Sequence, residues 1–73
     1  MKDPAEQIAI DLTLKGIEGL IRNAERELAE IDEYDALFGY EGREARDKGR
    51  QRSRHNLEVA REAYRIRKEA GGS

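Results

Sequence analysis

The sequence has no cysteine, one histidine (His55), one proline (Pro4), one phenylalanine and no tryptophan. Without cysteine there is no disulfide, and with a lone histidine there is no Cys/His cluster for structural zinc. A chain of 73 residues holds one domain, and a core this small rarely contributes more than about 3–5 kcal/mol. Oligomerisation is the staple left to it. Long apolar runs are also missing. The richest stretch, Ile8 to Ile21, is interrupted by Asp11, Lys15 and Glu18, so no membrane span is expected. A basic segment, an apolar segment and a cleavage site do not occur in that order at the start, so export by a signal peptide is not expected. The expected location is cytoplasmic, with no membrane partner.

Charge is abundant: 41% of residues are charged and 37% hydrophobic, with a net charge of -2. That balance suits a solvated helical rod and gives no general attraction to polyanions. Asp3-Pro4-Ala5-Glu6 reads as a helix start, with Asp3 as N-cap, Pro4 at the first position and Glu6 closing a capping box. Ile10, Leu14, Ile17, Ile21, Ala24, Leu28, Ile31, Asp35 and Phe38 then follow at steps of four and three. This is an a/d seam broken only by Asp35. Gly39 and Gly42 supply a stop and a reversal. Leu57, Ala60 and Tyr64, with Val59, Ala63, Ile66 and Ala70 beside them, make one apolar face on a second helix.

The predicted fold class is all-α, a coiled-coil-like antiparallel two-helix hairpin. Helix covers about 3–38, a turn about 39–42 and a second helix about 43–70, with 71–73 a flexible tail or linker. A turn centred on residues 40–41 places Leu57 near Ala24 and Tyr64 near Ile17. It also sets six acids (Glu25, Glu27, Glu30, Asp32, Glu33, Asp35) beside six bases (Arg43, Arg46, Lys48, Arg50, Arg52, Arg54). Exposed pairs contribute well under about 1 kcal/mol each, so the pattern specifies register more than stability.

One partner helix cannot cover the girth of residues 8–21, because Ile8, Leu12 and Leu20 fall outside the seam. A homodimer forming a four-helix bundle would cover it. The residues assigned to that interface are Ile8, Ile10, Leu12, Leu14, Gly16, Ile17, Gly19, Leu20, Ile21, Val59, Ala63 and Ile66. Glycine inside a helix costs about 1 kcal/mol against alanine. The strip Ala5, Ala9, Leu12, Gly16, Gly19 and Asn23 therefore reads as a place for close backbone approach, or else as a helix break near Gly16.

Three patterns could carry chemistry. Glu27-Leu28-Ala29-Glu30, or Glu30-Ile31-Asp32-Glu33, followed by Glu44-Ala45-Arg46-Asp47 resembles the magnesium signature of the all-α nucleotide pyrophosphohydrolases related to MazG. That resemblance implies Mg²⁺ beside a triphosphate. The hairpin pairing instead sets Glu44 and Asp47 a turn or more from Glu30, and a solvated charged face is the reading preferred. Gly16-Ile17-Glu18-Gly19 matches the GxxG loop of KH domains, but it sits in a heptad with Glu18 where a phosphate would approach. His55 with Glu58 and Glu62 shares one helix face and reads as an exposed histidine. No catalytic residue, metal or cofactor is assigned.

In layout the chain resembles the small dimeric helical-hairpin adaptors typified by RNA-binding Rop. The expected function is a non-catalytic protein–protein interaction module or small regulator. It would pair with itself and offer a charged tip, residues 32–54, to another protein. Arg43, Arg46, Lys48, Arg50, Arg52 and Arg54 are the candidate contacts. The alternative is a nucleic-acid-binding regulator using the same basic run, since its like-charge i,i+4 pairs call for an anion beside them.

Overall fold

A computed structural model describes residues 3–71. Met1, Lys2, Gly72 and Ser73 lie outside the described residues, and with them most of the expected tail. Three helices follow in order: α1 (Pro4–Asp11), α2 (Leu14–Phe38) and α3 (Arg43–Glu69). The fold is all-α, as the sequence predicts, but the first half is two helices instead of one.

The start of α1 is capped by Asp3 as expected, while the capping-box bond expected from Glu6 is not made. The Asp3 carboxylate accepts from the Ala5 amide at 3.1 Å, and Pro4 occupies the first turn. The break falls at Leu12–Thr13, three residues before Gly16. Leu12 is extended, and the Thr13 hydroxyl caps α2 by accepting from the Gly16 amide at 3.2 Å. Neither glycine nor proline marks the spot. Threonine is a good N-cap, and a cap placed there lets α1 fold back.

α1 runs back along α3. Ile8 lies near Val59 and Ala60, Ala9 and Ile10 lie near Ile66 and Arg67, and an Arg67 guanidinium nitrogen donates to the Ala9 carbonyl at 3.2 Å. Ala5 and Ala9 are buried there with Ile17 and Ala63, while Ile8, Leu12, Ile21, Val59, Tyr64 and Ile66 pack around them. This corrects the premise of the bundle argument. Ile8 and Leu12 are partly covered by their own chain, and Leu20 stays exposed.

α2 and α3 lie antiparallel and in contact along their length. Ser53 donates to Glu27 at 3.0 Å, Tyr64 donates to Glu18 at 3.3 Å, and Arg46 meets Asp35. Gly39 (φ 59°) and Gly42 (φ 70°) adopt positive φ, where a side chain would strain the backbone. α3 begins directly at Arg43 and includes the whole basic run. The core is thin: Ile17 is the only large side chain completely buried among the described residues.

Candidate interaction surface at the hairpin tip

Asp35 occupies a seam position where an apolar residue is expected, and at the tip it binds two arginines at once. Arg46 Nε donates to Asp35 Oδ1 at 2.5 Å, and Arg50 donates to Asp35 Oδ2. Arg46 also donates to the Glu41 carbonyl at 2.6 Å and the Gly39 carbonyl at 2.5 Å. These carbonyls belong to the turn, where helical partners have run out. One guanidinium therefore closes α2, the turn and α3 together. Hydrogen bonds from Arg46, then from Arg50, hold the Asp35 carboxyl below its ordinary value of 3.8. Arg50 further meets Asp47 at 2.7 Å and Asp32 at 3.3 Å.

Two of the six predicted contact residues are thus committed inside the hairpin. Arg46 and Arg50 hold the tip, whereas Lys48, Arg52 and Arg54 are exposed and in no ion pair among the described residues. Arg43 lies over the Tyr40 ring, 5.5 Å from its centroid. At about 100° per residue, Lys48 and Arg52 fall on one side of α3 and Arg43 and Arg54 on nearly the opposite one. The basic run makes no single stripe.

The tip carries an apolar patch that the charge pattern concealed. Tyr34 stacks on Phe38 with ring centroids 5.9 Å apart, and both are about half exposed. Leu37 is 73% exposed and Tyr40 86%, the most exposed of the large apolar residues described. The signal was present as Tyr34 and Leu37 beside Phe38 at i, i+3, i+4, and Phe38, assigned to the predicted seam, is instead 54% exposed.

The residues assigned to an oligomer interface are dispersed. Ile17 and Ala63 are fully enclosed and have no surface to offer. Ile8, Leu20 and Val59 share a groove, and Ile10 and Ile66 lie in a second at the base. Leu14, Gly16, Gly19 and Ile21 are half-buried along α2 and Leu12 along its approach. Among the described residues no group of three or more His, Cys, Asp or Glu is arranged to hold a metal ion. No helix there is long and apolar enough to cross a membrane. In the carboxylate pattern, Glu27 accepts from Ser53 and Asp47 from Arg50. The GxxG segment is the first turns of α2.

No protein-family model matches the chain, and no curated protein or solved structure is significantly similar to it.

Proposed function

We propose that this chain is a non-catalytic interaction module, a cytoplasmic helical hairpin that pairs with itself and offers its apex to another protein. The observation that carries this reading is the apex. Leu37, at the end of α2, and Tyr40, on the turn, are largely in solvent at an apex that Arg46, Asp35 and Arg50 hold together. Large apolar side chains on a braced support suit a protein partner, because burying each contributes about 1.5–3 kcal/mol and little order must be created. Arg46, Asp35 and Arg50 act within the chain, and Leu37 and Tyr40 face outward.

A photo-crosslinking residue in place of Tyr40, in the full chain and in its native cell, tests this. Protein adducts that vanish on Leu37→Glu support it. Adducts to RNA or DNA in their place would overturn it in favour of the nucleic-acid reading. Lys48, Arg52, Arg54 and Arg43 keep that reading available, but two opposed pairs neutralise few phosphates at once. Binding to a generic duplex should therefore be weak at 50 mM salt and fall by only a small factor at 200 mM, in contrast to proteins with six or more phosphate contacts.

A further inference from the structure

The hairpin seam has two unlike sides. Along one, polar links cross it: Tyr64 to Glu18, Arg61 to Glu25 at 3.6 Å, and Arg50 to Asp32. Along the other runs a groove. Its base-ward part, about 350 Å³, is lined by Ile8, Leu20, Glu27 and Val59 among others. Its tip-ward part, about 260 Å³, is lined by Glu27, Ile31, Tyr34 and Arg52 among others. Glu27 borders both parts and, by accepting from Ser53 across the seam at 3.0 Å, stands as a polar link between them. α1 lies over the base-ward half, whereas α2 and α3 alone line the tip-ward half. The face is a step, raised at the base and recessed toward the tip.

A step fits a copy of itself turned end for end, because a two-fold axis across the helices sets each raised half over the other's recess. We infer that a second copy of this chain docks on this face in that antiparallel sense, with α1 of each copy covering the tip-ward groove of the other. This deepens the self-pairing part of the proposed function and rests on it.

Surface area supports a copy as the occupant. A compact monomer of this mass exposes about 4,600 Å², whereas this chain exposes 5539 Å². The surplus is about what each partner buries in a standard interface. Dimensions agree: the eight residues of α1 span about 12 Å and the stretch from Glu27 to Phe38 about 17 Å. α1 bears Glu6 and Asp11, with Asp3 at its cap, and no base between Pro4 and Asp11. The recess is lined by one base, Arg52 on α3, beside Glu27 and Glu30 on α2, so Arg52 is the group that meets the acids of the copy's α1. Apolar surface is matched too, since Ile10, 53% exposed at the base, is carried onto the Tyr34–Phe38 stack of the copy. Leu37 and Tyr40 stay outside this interface and remain free for a different partner.

Sedimentation equilibrium of the full chain at tens of micromolar should give twice the 8.3 kDa chain mass. Arg52→Glu should weaken the dimer by about tenfold or more, as truncating an interface ion pair does, and Glu6→Arg in the same chain should restore much of it. A spin label on a single cysteine at Glu41→Cys is unique in this chain. It should report tips separated by a distance comparable with the 45 Å length of the molecule. A monomeric mass overturns both this inference and the self-pairing beneath it. A dimer indifferent to Arg52→Glu, or with labels within about 20 Å, two helix diameters, overturns this arrangement alone and leaves self-pairing standing.

Discussion

At the scale of single residues, Arg46 governs the tip. Its three hydrogen bonds reach a carboxylate and two turn carbonyls, and its side chain is largely covered. Arg46→Met keeps the aliphatic stem and removes every donor. Amide exchange over residues 36–46 should then rise by about five- to thirtyfold, the factor that a loss of about 1–2 kcal/mol gives. The base around Ile17 and Ala63 should stay protected. Asp35 adds a pH dependence whose sign follows from its lowered folded value. A carboxylate depressed by folding contributes fully above its unfolded value near 3.8, and its contribution disappears as pH falls through the lower folded value. Tip amides should therefore loosen only in acid below about pH 4, together with the Asp35 carboxyl resonance. Tip loosening between pH 5 and 7 would show that another group controls it.

Among the elements, the α1–α2 break depends on Thr13. Thr13→Ala removes the cap at the price of about 1 kcal/mol, which lowers the melting temperature by about 4–8 °C in a chain this size. The sequence shows a seam running through Ile10, Leu14 and Ile17 without interruption, so a straight helix is its natural local reading. Thr13 has the right chemistry for a cap, but a threonine inside a heptad is ordinary, and only the contact of Ala5 and Ala9 with α3 makes the cap worth using. Gly19 distinguishes two views of the small-residue strip. A methyl group there meets nothing within 4 Å, so Gly19→Ala should stabilise the chain by up to about 1 kcal/mol in thermal melts. If Gly19 instead admits another backbone, the same change will lower the association constant.

For the whole molecule, shape and stability are linked. The radius of gyration is 14.6 Å against about 11 Å for a compact chain of this length, and among the described residues one large side chain, Ile17, is fully enclosed. Such a protomer should gain stability by mass action, so its melting temperature should climb with protein concentration between micromolar and hundreds of micromolar. A midpoint that does not move with concentration would mean that the three helices hold themselves. Reversing Arg46 and Arg50 together to Glu should disorder the tip and leave the base folded, with the effect shrinking as salt screens the new repulsion.

Local chemistry and periodicity determined the all-helical fold, the Gly39–Gly42 turn and the pairing of Asp35 with Arg46. These follow from step lengths of three and four, from left-handed glycines and from opposite charges brought alongside by a short turn. The tertiary structure alone decided three things: that Leu12 leaves the helix, that Ile17 and Ala63 face inward together, and that Arg46 turns away from solvent to bind backbone carbonyls. Each depends on which distant surface is within reach. Ala5 and Ala9 are weak helix-core residues until α3 lies against them, and Arg46 is one basic residue among six until the turn carbonyls are presented to it. A sequence records what each residue can do, and contact across the fold selects which of those things it does.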